Sequence, residues 1–106
     1  MSAYLVVTLS VTDPDTYRRY AAHTPDVIAR HGGRFLTRGT PVETLEGEDF
    51  GGRMIIVEFP DARAARAFYD DPEYQELSVY RREGSSGGLM LLQDGVADGA
   101  RPDPGL

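Results

Sequence analysis

The apolar positions of the chain follow two rhythms. Tyr4 to Val11 (YLVVTLSV) and Met54 to Phe59 (MIIVEF) are short runs rich in β-branched residues, closed by Asp13-Pro14-Asp15 and by Pro60-Asp61 respectively. Each run predicts a strand, and each closing cluster both stops it and can cap a following helix. From Tyr17 to His31 the spacing becomes helical: Tyr17, Tyr20, Ala21, Thr24, Val27, Ile28 and His31 share one face, while Arg18, Arg19, Asp26 and Arg30 lie off it. Pro25 lacks an N–H and is expected to kink or split this helix. Gly32-Gly33 is expected to end it. Arg34 to Arg38 and Val42 to Leu45 predict a strand bent or bulged at Gly39-Thr40-Pro41, followed by a polar loop from Glu46 to Gly52. Asp61 is the expected N-cap of a helix from Ala62 to Tyr69. Asp71-Pro72 interrupts it, and a second piece from Glu73 to Arg82 places Tyr74, Leu77, Ser78 and Arg81 on one side. Ser85 to Gly88 is expected to link this to a last strand, Leu89 to Gln93. The Gly-, Pro- and Asp-rich end from Val96 lacks periodicity, which predicts one domain over residues 1–96 and a disordered tail over 97–106.

The order β-α-β-β-α-β is the split βαβ, or ferredoxin-like, arrangement of the α+β class: a four-stranded antiparallel sheet with its helices on one face. A solvated second face would make the strands alternate apolar with polar. Leu5-Val6-Val7, Met54-Ile55-Ile56-Val57 and Leu89-Met90-Leu91-Leu92 are instead apolar at both parities, so the second face also requires cover. With no further element to supply it, the expected cover is a second copy of the chain, a homodimer joined sheet to sheet.

Composition narrows the chemistry. A formal net charge of -6 opposes nucleic acid and anionic membranes as partners. All eleven Lys+Arg residues are arginine, so no lysine can form a Schiff base. With no cysteine, thiol nucleophiles, thiolate metal sites and disulfides are excluded. The same absence, together with a start that has neither a basic n-region nor a long apolar stretch, predicts a cytoplasmic location. Two histidines and no clustered His-carboxylate spacing predict no structural or catalytic transition metal. Carboxylate, Tyr, Ser, Thr, Arg and His remain.

Among these, Glu58 interrupts an apolar strand, where a carboxylate is either desolvated with a raised pKa, as a general base needs, or held in an ion pair, with Arg38 as the candidate cation. His31 falls at the core-facing end of the first helix, as a capping residue or as a second proton carrier. His23 projects beside charged residues and is expected to be solvated. Tyr17, Tyr20, Tyr69 and Tyr74 occupy inward-facing helix positions, either as core or as pocket walls presenting hydroxyls to a flat substrate. Arg53, Arg81 and Arg82 are expected to be solvated or ion-paired, with anion binding as the alternative. Gly84 to Gly88 has the composition of a phosphate loop but lies between helix and strand, the reverse of the required order. No Ser, His and Asp set has the context of a nucleophile elbow, and the acidic residues Glu43, Glu46, Glu48 and Asp49 lack calcium-loop spacing.

The runs His31-Gly32-Gly33-Arg34-Phe35-Leu36-Thr37-Arg38-Gly39, Val57-Glu58-Phe59-Pro60 and Ala65-Arg66-Ala67-Phe68-Tyr69-Asp70-Asp71-Pro72-Glu73-Tyr74-Gln75 resemble, in order, the domain-of-unknown-function family 1330. That resemblance implies a dimeric α/β barrel, a superfamily whose relatives include cofactor-free monooxygenases of polyketide quinols, muconolactone isomerases, haem-binding proteins and stress-responsive barrels. Such a fold sets shape and leaves the reaction open. It also implies a ligand between the helices and the sheet. Neither His23 nor His31 stands in a motif matching the axial histidine of the haem-binding relatives. The expected site is a cleft bordered by Arg38, Tyr69 and Tyr74 as substrate-binding residues, with Glu58 or His31 as proton carrier. The expected function is a cofactor-independent isomerase, cyclase or monooxygenase acting on a small apolar metabolite by proton transfer. The alternative is a non-catalytic dimeric small-molecule-binding or accessory protein.

Overall fold

In the computed structural model, which describes residues 1–97, the chain forms β1 (Ala3–Val11), α1 (Pro14–Arg30), β2 (Arg34–Arg38), β3 (Arg53–Phe59), α2 (Ala62–Asp70), α3 (Pro72–Glu83) and β4 (Ser85–Asp94). The four strands pair antiparallel in the order β2-β3-β1-β4. This is the ferredoxin-like βαββαβ arrangement, with the second helical segment divided in two. The tail expected over 97–106 lies, apart from Ala97, outside the described residues. No helix among the described residues is long and apolar enough to cross a membrane.

The caps follow from local chemistry. Asp13 accepts from the Thr16 amide at 3.3 Å and opens α1 with Pro14 in its first turn, where a missing N–H costs nothing. Asp61 accepts from the Ala64 amide at 2.7 Å. Asp71 closes α2 with its backbone and opens α3 with its side chain, which accepts from the Glu73 amide at 2.9 Å. Pro25 does not split α1, which is helical throughout its 17 residues. The Thr24 hydroxyl donates to the Tyr20 carbonyl at 2.7 Å, adding a side-chain bond beside the one that Pro25 cannot make.

Alternation along the strands settles which side chains meet the helices. Ala3, Leu5, Val7 and Leu9 of β1 and Ile55, Val57 and Phe59 of β3 are buried together with Val27, Ile28, Phe68 and Tyr74 from the helices. The residues between them, Val6, Met54, Ile56 and Glu58, occupy the helix-free face. Register places Leu89 and Leu91 of β4 beside Thr8 and Val6 on that face, where they are 58% and 53% exposed. One side of the sheet is thus apolar and uncovered in a single chain.

Three expectations fail here. Val42 to Leu45 forms no strand: β2 ends at Arg38, and residues 39–52 form the connection to β3. Ser85 to Gly88 belongs to β4 and is no linker, because Ser85 and Ser86 pair with Val11 and Ser10 across an irregularity that Gly87 accommodates with a φ of 62°. The β2 bulge falls earlier than Gly39-Thr40-Pro41. Phe35 pairs with Val57 and Thr37 with the adjacent Ile56, which leaves Leu36 as the extra residue. The slip has a consequence for the site, because Phe35 and Arg38 both face the helices, whereas strict alternation would have sent Arg38 to the opposite side.

Candidate functional site

A narrow cleft opens between α1 and the sheet, with a free volume of about 40 Å³. Its floor is Leu5 and Val7 of β1 with Ile55 and Val57 of β3, and its roof is Tyr17, Tyr20, Ala21, Thr24, Pro25 and Ile28 of α1. Phe68 lies at one side and Phe35, Arg38 and Arg53 at another. The walls are apolar and aromatic, and the polar groups are few, as is usual for a metabolite site.

The arginines are held in defined places. Arg53 donates through Nη2 to the Arg38 carbonyl at 2.7 Å and lies 5.7 Å from the centre of the Tyr17 ring. Gly39, at a φ of 130°, makes room for it: a Cβ there would lie 2.5 Å from Arg53 Nη1. The Arg53 Nε is buried without a hydrogen-bond partner. Arg38 is exposed on the edge strand, its guanidinium 4.6 Å from the centre of the Phe35 ring. Arg81 of α3 sits behind the roof, 6.0 Å from the Tyr20 ring, and its Nε is likewise buried and unpartnered.

The tyrosines differ in role. Tyr20 and Tyr74 join hydroxyl to hydroxyl at 3.0 Å in the core, and Tyr74 is 0% exposed. Burial, then the neighbouring Tyr74, drives the Tyr20 phenol far above its ordinary pKa, so it remains neutral. Burial also raises Tyr17, with Arg53 opposing it. Tyr69 turns outward at 38% exposure and borders a different groove, with Ala65, Arg66, Asp70, Met90 and Leu92.

The expected single cleft bordered by Arg38, Glu58, Tyr69, Tyr74 and His31 is therefore not formed. Of these residues only Arg38 lines the α1–sheet cleft. Glu58 lies on the opposite sheet face, where Arg34 Nε donates to it at 2.7 Å and the Tyr4 hydroxyl at 3.3 Å. Arg34 takes the place expected of Arg38, since Arg34 is the residue opposite Glu58 in the register. This bond holds the Glu58 carboxyl below its ordinary pKa, the reverse of what a general base near neutrality requires. His31 ends α1 and meets Asp71 at 2.9 Å from Nε2, tying the helix end to the α2–α3 corner. That hydrogen bond is the largest of the effects that hold Asp71 below its ordinary pKa. His23 is exposed, as expected.

Sequence reasoning favoured a solvated or ion-paired Arg53 over an anion-binding one, did not place it at the cleft, and gave Thr24 no role beyond the apolar face. The available signal for Arg53 was Gly39, a glycine positioned to admit a large side chain, but that requires knowing that β2 and β3 are neighbours. Among the described residues no three His, Cys, Asp or Glu side chains converge as a metal-ligand group.

Fold and cleft together define a ferredoxin-like α+β protein with an aromatic-walled space between its first helix and its sheet. More specifically, the chain belongs to the family "Domain of unknown function (DUF1330)", whose model matches residues 2–95. Among solved structures it is similar to the RPA0582 protein of unknown function from Rhodopseudomonas palustris, at 20% identity over 91% of this chain and 84% of that one, with a TM-score of 0.68. It is also similar to SnoaB, a cofactor-independent oxygenase from Streptomyces nogalater, at 21% identity over 96% and 98% of the two chains, TM-score 0.63. A dimeric ferredoxin-like protein of unknown function from Jannaschia sp. CCS1 matches at 16% identity over 90% and 100%, TM-score 0.66. At these identities the likeness is one of fold. No curated protein matches the chain in sequence.

Proposed function

We propose that this protein is a homodimeric, cofactor-independent enzyme of the cytoplasm that binds a small, flat, largely apolar metabolite between α1 and the sheet and oxygenates it. The observation that carries this reading is the make-up of the cleft: aromatic and aliphatic walls with Arg38 and Arg53 at one end, and no carboxylate or imidazole among its lining residues. An isomerase or cyclase working by protein-mediated proton transfer needs a titratable base within hydrogen-bond reach of the substrate. An oxygenase whose substrate is itself a weak acid does not. Guanidinium groups in a largely apolar space stabilise the substrate anion, and that anion supplies the electrons for dioxygen. A ring methylene becomes a carbonyl, with one oxygen atom retained and the other released as water. SnoaB, of the same fold, is described as a cofactor-independent oxygenase, which is compatible with this chemistry.

The lack of a base in the cleft equally favours a second reading, a non-catalytic binding or accessory protein. Oxygen uptake with 1,8-dihydroxyanthrone as substrate, in the absence of added metal or flavin, separates the two. The enzyme reading expects dioxygen consumption above the protein-free rate, matched by formation of the quinone. Saturable binding with no added oxygen consumption would leave the binding-protein reading in its place.

The dimer reading rests on the apolar helix-free face formed by Val6, Met54, Ile56, Leu89 and Leu91, which a second sheet would cover. The Jannaschia protein of the same fold is described as dimeric.

A further inference from the structure

We propose that the cleft selects flat ligands bearing a carboxylate, which Arg38 and Arg53 receive at its β2 end. This rests on the reading of the cleft as a metabolite site and adds the ligand's charge class to it. Three independent observations meet at this point.

The first is the pairing of the charges. Among the described residues Arg34 is paired with Glu58 on the far face, and Arg30 with Asp71 and Glu73, yet no carboxylate lies within 4.0 Å of Arg38 or Arg53. The segment that connects their strands carries Glu43, Glu46, Glu48 and Asp49, and none of these pairs with either arginine. In a molecule of formal net charge -6, two guanidiniums left without counterions at one cleft form a local cationic site in an acidic field.

The second is preorganisation. Arg53 is pinned by the Arg38 carbonyl and by the space at Gly39, and Arg38 is laid against Phe35. A guanidinium fixed in this way loses little freedom when it meets a ligand, and its planar fork matches the two oxygens of a carboxylate. The third is the Arg53 Nε, a buried donor with no acceptor. Such a buried donor is costly unless an acceptor reaches it, and of the two donors in this state among the described residues, the Nε atoms of Arg53 and Arg81, Arg53 belongs to a residue that lines the cleft.

Binding of 1-naphthoate and of its neutral isostere 1-naphthamide to the dimeric protein at low salt tests the proposal, read from probe fluorescence and from NMR shifts of the Thr24 and Val57 methyls. The expected result is naphthoate tighter than naphthamide by about tenfold or more, the scale of one charge-assisted hydrogen bond. Arg38→Gln, at an exposed position, should remove most of that preference, bringing the ratio of the two affinities toward one. Arg53→Gln should do the same. Arg63→Gln, an exposed charge control on α2, should leave the preference intact. Equal affinities for the two probes would overturn the carboxylate proposal while leaving the cleft itself in use. So would an equal loss of both probes in Arg38→Gln, or a loss in Arg63→Gln as large as that in Arg38→Gln. Failure of both probes to shift the cleft methyls would overturn the carboxylate site and the metabolite cleft together.

Discussion

Glu58 and Tyr20 are both polar residues in apolar surroundings, and the structure resolves them in opposite ways. Tyr20 keeps its proton and shares a hydrogen bond with Tyr74 in the core. Tyr20→Phe should destabilise the fold by about 1–3 kcal/mol, because it strips the buried Tyr74 hydroxyl of its oxygen partner and leaves only a long contact to Met90 sulfur. Thermal or urea unfolding measures this. Glu58 is ionised and held by Arg34. Because its folded pKa is lowered, the stabilisation it supplies is complete above its ordinary value of 4.5 and is lost as pH falls through the lower folded value. The melting temperature of the wild type should therefore drop on acidification below about pH 4.5, and Glu58→Gln should flatten part of that drop. Asp71, lowered chiefly by its bond with His31, contributes in the same sense, so some acid sensitivity should persist in the variant.

At the scale of elements, Gly84 joins two junctions that lie far apart in the chain. Its carbonyl accepts the Thr12 and Asp13 amides at 2.9 and 3.1 Å, so the turn from β1 into α1 is fastened to the end of α3. A Cβ at this position would lie 2.7 Å from the Tyr17 backbone nitrogen, and backbone cannot swing aside as a side chain can. Gly84→Ala should cost about 1–3 kcal/mol, readable as a lowered denaturation midpoint with an unchanged slope. The elements themselves were largely legible in the sequence, because capping aspartates, helical spacing and β-branched runs act over a few residues. The first helix shows this well: Tyr17, Tyr20, Thr24, Val27 and Ile28 are its buried face as the projection requires. What the sequence concealed depends on partners. Ser85 to Gly88 has the composition of a loop and becomes strand only because β1 lies beside it, while Val42 to Leu45 has strand-like residues and no strand to pair with. The site was less legible for the same reason. Glu58 is conspicuous as the charge in an apolar run, but only the pairing of β3 with β2 reveals Arg34 as its partner and the helix-free side as its face.

For the whole molecule, the uncovered apolar face should make folding and association one process. Sedimentation should give a dimer at micromolar concentration, and the unfolding midpoint should rise with protein concentration. Leu91→Asp, which places a charge on that face beside Val6, should yield a monomer of lower stability; a dimer unchanged by it would argue against a sheet-to-sheet seam. Two demands thus fall on one thin sheet, a cleft on one side and the proposed seam on the other, and β2 would serve both with only five residues. The bulge at Leu36 makes this short strand asymmetric towards changes of length. Removing Leu36 would leave Phe35, Thr37 and Arg38 opposite Val57, Ile56 and Ile55, which are already their partners, so the strand becomes regular and Arg38 still points at the cleft. Adding an alanine after Leu36 has no such resting place: the ladder must either open further or turn Arg38 toward the seam. The shortened protein should keep its preference for naphthoate over naphthamide and the lengthened one should lose it, so that β2 is a strand able to give up a residue but unable to take one in.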